Sequence, residues 1–136
     1  MPLIFQHRIY REDLQSNPDV LYVFGDNEQR WGMGGQAGEM RGEPNAVGVA
    51  TLKSPGNFWT DGDYARQCAR LDIDMAPLFS ALRAGRTVVF PRDGIGTGLA
   101  RLAETSPMTF DYLRRQVAAL GSISARASSR TAPSEV

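Results

Sequence analysis

Short unbroken apolar runs and longer helical stripes alternate along the chain. Leu3 to Tyr10 is rich in apolar and β-favouring residues and reads as a first strand. Arg11 to Pro18 is polar and predicts a short helical turn. Val20-Leu21-Tyr22-Val23-Phe24 is a continuous apolar run, the pattern of a strand buried on both faces, and it stops at Gly25-Asp26-Asn27. Asn45 to Leu52 reads as another strand, ending at Lys53-Ser54-Pro55-Gly56. From Asp74 a helix is predicted, because Met75, Leu78, Phe79 and Leu82 fall on one helical stripe. Pro77 then sits in its first turn, where a missing N–H has no helical partner anyway, and Gly85 ends it. Thr87 to Phe90 is a short buried strand. Ser106-Pro107 predicts an N-cap and first helical residue, and Phe110, Leu113, Val117 and Leu120 carry the last helix to Gly121.

Strands alternating with helices predict an α/β fold with a mixed or mostly parallel sheet. Ligands of such sheets sit beyond the carboxyl ends of the strands. Two glycine clusters are placed for that edge: Gly32 to Ala37, opening a helix, and Gly94 to Leu99, following a strand. Glycines let a ligand approach the backbone, and successive free N–H groups make an anion nest, strengthened by a following helix N-terminus. Neither cluster is a P-loop, since Gly-Lys-Ser/Thr is absent, and neither carries the dinucleotide fingerprint. The bland alternative is that both are tight connections in a regulatory interaction domain.

Composition narrows the class. The 136 residues suit one domain, expected over residues 1–121, with residues 122–136 turning to Ser, Ala and Arg and expected to be a disordered tail. Apolar content of 42% with 22% charged residues is that of an ordinary globular chain. Fifteen basic residues balance fifteen acidic ones, which argues against extensive nucleic-acid binding but leaves room for one small anion held by backbone amides. Cys68 is the sole cysteine, so no internal disulfide is possible, and a cytoplasmic location is expected. No basic-then-apolar leader is read at the start, and no apolar run approaches the ~18–20 residues of a membrane span, so no membrane partner is expected. His7 is the lone histidine, on the expected first strand, and a packed or surface role is predicted. One histidine and one cysteine give no basis for a metal site, and no cofactor is predicted.

At the two loops the chain resembles the macrodomains. Phe24-Gly25-Asp26-Asn27 followed by Trp31-Gly32-Met33-Gly34-Gly35-Gln36-Ala37 resembles their first ligand loop. The branch it looks most like holds the terminal ADP-ribose protein glycohydrolase and the ADP-ribose-1″-phosphate phosphatases. Val89-Phe90-Pro91-Arg92-Asp93-Gly94-Ile95-Gly96-Thr97-Gly98-Leu99-Ala100-Arg101-Leu102 is similar to the second loop, and Val49 to Lys53 to the segment between. The resemblance runs from about Val20 to Leu120. It implies a three-layer α/β/α sandwich that binds ADP-ribose or an ADP-ribosylated macromolecule.

The resemblance also implies roles. Asn27 would bond the distal ribose, with Asp26 helping to fix the nucleotide. Gly34, Gly35 and Ala37 would approach the distal ribose and diphosphate. Gly94, Ile95, Gly96, Thr97, Gly98 and Leu99 would form the second wall, with amides of Gly96 to Gly98 around the diphosphate. Trp31, Phe58 and Trp59 are candidates for stacking on adenine or ribose, with packing preferred for Trp59. Arg41 and Arg92 flank the loops as possible phosphate partners. For catalysis, the glycohydrolase uses a lysine nucleophile in the middle segment, and Lys53, the only lysine, falls near that position. Its assisting aspartate position is Ala100 here, leaving Asp93 as the candidate acid or base. Lys53 favours a hydrolase of ADP-ribosyl or ADP-ribose-phosphate bonds. Ala100 favours a non-catalytic binder of an NAD-derived nucleotide.

Overall fold

The computed structural model describes residues 3–96 and 100–131. In chain order the elements are β1 (Leu3–Gln6), α1 (Arg11–Ser16), β2 (Leu21–Asn27), α2 (Ala37–Met40), β3 (Ala46–Ser54), β4 (Asn57–Phe58), a 3-10 turn (Asp61–Asp63), α3 (Tyr64–Arg83), β5 (Val88–Pro91), α4 (Leu102–Thr105) and α5 (Pro107–Thr131). The five strands form one sheet in the order β1-β5-β2-β3-β4. The first four are parallel to their neighbours, and β4 turns back antiparallel on β3. This is a mixed, mostly parallel α/β sheet.

Strand alternation divides the core in two. Leu21 and Val23 of β2, with Val88 and Phe90 of β5, face Leu71, Met75, Leu78 and Leu82 of α3 and Leu113 and Leu120 of α5. Tyr22, Phe24 and Val89 face the other way, against Ile9, Leu14 of α1, and Ala37 and Met40 of α2. Helices therefore cover both faces, which is why β2 reads as unbroken apolar. The α3/α5 side is the larger core, and Trp59 is fully buried in it.

Three expectations change. The first strand ends at Gln6 rather than Tyr10, so His7 and Arg8 lie in the turn that follows it. Helix α3 begins at Tyr64, ten residues ahead of the expected Asp74, so Pro77 lies inside it. The early half is hidden from a hydrophobic count because Gln67 and Asp74, both polar, occupy core-facing positions. Pro77 is on the exposed side, where the carbonyl of Ile73 that loses its partner meets water. Helix α5 does not stop at Gly121: it continues to Thr131 and buries Ile123 and Ser124, which replaces the expected disordered tail over that stretch.

The predicted start of α5 holds, with Pro107 its first residue. Its cap is assembled from afar. The N–H of Met108 donates to Asp61 Oδ1 at 3.1 Å, and buried Ser106 Oγ lies 3.0 Å from the same carboxylate oxygen. Among the described residues no helix is long and apolar enough to cross a membrane.

Candidate functional site

Strands β1, β5, β2 and β3 end on the same edge of the sheet, and a cavity of about 750 Å³ opens there. The first loop lines it from Trp31 through Ala37, and the second at Pro91, from Asp93 through Gly96 and at Ala100. Gly25, Asp26 and Asn27 form its floor, with Thr51 and Leu52 of β3, and Pro55, Gly56 and Phe58 close the β3–β4 side. His7 and Arg8 stand on the β1 side. The walls are mostly carbon and peptide.

Of the residues singled out from sequence, the cavity brings together Asp26, Asn27, Trp31, Gly34, Gly35, Ala37, Asp93, Gly94, Ile95 and Gly96. Thr97, Gly98 and Leu99 lie outside the described residues. Trp59 is buried away from the cavity and donates its indole N–H to Glu28 at 2.8 Å, in keeping with a packing role. Trp31 is 57% exposed at the mouth, free to meet a ligand ring.

Lys53 is not among the lining residues. Neighbours on a strand face opposite ways, so Leu52 lines the cavity while Lys53 points outward, its ammonium 4.0 Å from Asp63. Its side chain is 52% exposed, so the burial that a lysine nucleophile needs is missing. Ala100 lines the cavity and offers no acid there.

The acidic residues near the first loop hold the loop's own shape. Asp26 is 4% exposed and takes Arg41 Nη2 at 2.6 Å, Arg30 Nη1 at 3.5 Å and the N–H of Asn27 at 2.8 Å. Arg30 carries φ +58, a conformation costing roughly 1–2 kcal/mol away from glycine. Its guanidinium is held by Asp74 at 2.6 Å and by the carbonyl of Gly48 at 3.2 Å. Asp74 also accepts the N–H of Ala50 at 2.8 Å, at the bulge where β3 slips against β2. Asn27 turns its amide inward: it donates to the carbonyl of Trp31 at 2.7 Å and accepts the N–H of Gln29 at 3.0 Å. Both ends of that side chain thus brace the loop, so a ribose contact from Asn27 must compete with them.

Glu28 follows β2 and ties this corner to α3 through Arg66 Nη1 at 2.6 Å. Burial pushes its carboxyl up, and the hydrogen bonds from Arg66 and Trp59 with the charges of Arg66 and Arg70 outweigh it, so it titrates below the usual 4.5.

The second loop depends on close approach. Gly96 has φ +77, and a Cβ there would stand 3.2–3.3 Å from Leu102 and Thr51. Its carbonyl accepts the N–H of Leu102 at 2.8 Å, which folds the loop back over its own end. The helices after the two loops, α2 and α4, span four residues each. A single turn has little dipole, so the support expected from following helices is weak, and any anion here depends on backbone amides and side-chain charge.

Residues 4–116 match the model of a family described as a family of unknown function (DUF7831). The chain belongs to that family. No curated protein and no solved structure gives a match. The matched span takes in β1, both loops and the first part of α5, so every wall of the cavity lies in the family's own segment.

Sequence reasoning missed His7 and Arg8 as neighbours of the site. The signal was available: the carboxyl-end rule, applied to β1 as it is to β2 and β5, points to the residues after Gln6. Running the first strand on to Tyr10 hid it. Among the described residues no group of three or more His, Cys, Asp or Glu stands together to hold a metal ion.

Proposed function

We propose that this cavity binds ADP-ribose or a related NAD-derived nucleotide, in a domain of the macrodomain kind, with ADP-ribosylated macromolecules as partners. The observation that carries the reading is the convergence of both glycine loops, far apart in sequence, on one cavity at the strand ends. The sheet with helices on both faces, and the resemblance of the loops themselves, support it. A cytoplasmic location goes with it, since a lone unbridged thiol suits a reducing compartment.

Binding without turnover is the reading favoured by the positions of Lys53 and Ala100. One observation favours hydrolysis of an ADP-ribosyl or ADP-ribose-phosphate bond as a second reading: Asp93 lines the cavity and can take a proton from water there.

Calorimetry with ADP-ribose is expected to give saturable heat at one ligand per chain. No heat with ligand at about 1 mM would overturn the nucleotide reading and leave the loops as connections. Lys53→Ala is expected to bind as the parent does. Release of ADP-ribose from modified protein or nucleic acid, abolished by Asp93→Asn, would establish the hydrolase; no release by the parent chain would exclude it.

A further inference from the structure

Phosphate binding in this cavity needs charge that the two loops do not supply. Their following helices are one turn long, and Asp93 adds a negative charge at the mouth. The arginine nearest the first loop that also lines the cavity, Arg41, is held by Asp26. Arg30 is held by Asp26 and Asp74. Arg8 differs. It lines the cavity, and its guanidinium lies 5.5 Å over the ring of Tyr10. Among the described residues it forms no ion pair with a carboxylate.

The backbone that carries Arg8 is pinned. Gln6 Nε2 donates to the Arg8 carbonyl at 2.9 Å, and the N–H of Arg92 donates to the Gln6 carbonyl at 2.7 Å. The Gln36 amide grips both sides of the next residue, accepting the Ile9 N–H at 2.9 Å and donating to its carbonyl at 2.8 Å. Gln36 belongs to the first glycine loop. The turn bearing His7 and Arg8 is therefore fixed both to β5 and to that loop, so the backbone that presents Arg8 is set beside the cavity before any ligand arrives.

We propose that Arg8, with the ring N–H of His7 beside it as a second donor, is the phosphate-binding side chain of the cavity. The anionic part of the ligand lies at the β1–β5 end, met by a full positive charge that neutral backbone amides do not carry. This rests on the nucleotide reading and deepens it, by assigning a phosphate subsite to residues outside both glycine loops.

The test is calorimetry on the full chain with ADP-ribose, ADP, adenosine and inorganic pyrophosphate, using Arg8→Gln, Arg8→Lys and Arg114→Gln. Arg114, on α5, is exposed and does not line the cavity, so it controls for general surface charge. Arg8→Gln is expected to weaken ADP-ribose, ADP and pyrophosphate at least about tenfold while shifting adenosine less than about twofold. Arg8→Lys should restore part of the loss, and Arg114→Gln should change nothing. Thermal melts check that each variant is folded. ADP-ribose bound equally well by Arg8→Gln overturns the subsite and leaves the nucleotide reading standing. Pyrophosphate bound through Arg8 without any binding of ADP-ribose supports the subsite and overturns the nucleotide. Failure of the parent chain to bind either overturns both.

Discussion

Gly48 shows how much one residue can decide under the first loop. It lies on β3 beside β2, and a Cβ there would stand 2.5 Å from Asp26 Oδ2. The carboxylate cannot retreat, because Arg41 and Arg30 hold it. Gly48→Ala is therefore expected to lower stability by about 1–3 kcal/mol, the usual cost of overpacking a closed site. Urea denaturation reads it directly, and a midpoint unchanged from the parent would show that Asp26 has more room than the contact allows. In the same cluster Asp26 and Asn27, candidate ligand positions by sequence, line the cavity and shape the loop from beneath. Residue type identifies a polar group after a strand; only its partners tell whether that group faces a ligand or the protein.

At the scale of elements, α3 and α5 pack on each other over the larger core. Both helices differ from their sequence patterns for the same reason. A hydrophobic stripe predicts a helix only where its buried face is apolar. In α3 that face includes Gln67, whose Nε2 donates to the Thr60 carbonyl at 2.7 Å, and Asp74, which accepts from Ala50. These hydrogen bonds allow polar side chains to be buried, and the count of apolar positions then starts too late. In α5, Gly121 reads as a stop by sequence, but it faces Leu3 of β1, where a Cβ would meet that side chain at 4.0 Å, and the helix runs on. Deleting residues 122–136 is accordingly expected to cost about 1.5–3 kcal/mol, the scale of losing the burial of the Ile123 side chain. A deletion with an unchanged melting midpoint would return that segment to the status of a dispensable tail.

For the whole molecule, charge partners set how stability responds to pH. Glu28 has a lowered value in the fold, so its contribution is present above its ordinary 4.5 and is lost as pH falls through the folded value. Glu28→Gln is expected to flatten the acid side of the stability curve measured from about pH 6 down to pH 3. Tyr112 behaves in the opposite sense. Its hydroxyl donates to Asp72 at 2.6 Å, and that bond, with burial and the Asp72 charge, pushes it from 10.0 up to about 12. Its contribution is whole below pH 10 and disappears as pH rises through about 12. Absorbance titration of Asp72→Asn should bring one tyrosine back toward 10.0; no movement would sever the pair.

The sequence by itself determined the α/β class, the order β1, α1, β2, β3, α3, β5 and α5, and the two loops. These follow from local rules: period along the chain, unbroken apolar runs for strands covered on both faces, and glycines where the backbone must turn tightly. Only the tertiary structure decided which side of the sheet edge each residue faces. It turned Lys53 outward by strand alternation and closed the Asn27 amide on its own loop. It also brought His7 and Arg8 to the cavity, because β1 ends at Gln6 and pairs with β5 rather than with its neighbour in sequence. Pairing between distant strands depends on contacts that no local pattern contains. The loops of this protein could therefore be read from its residues, whereas the charge that completes their cavity had to be read from the sheet.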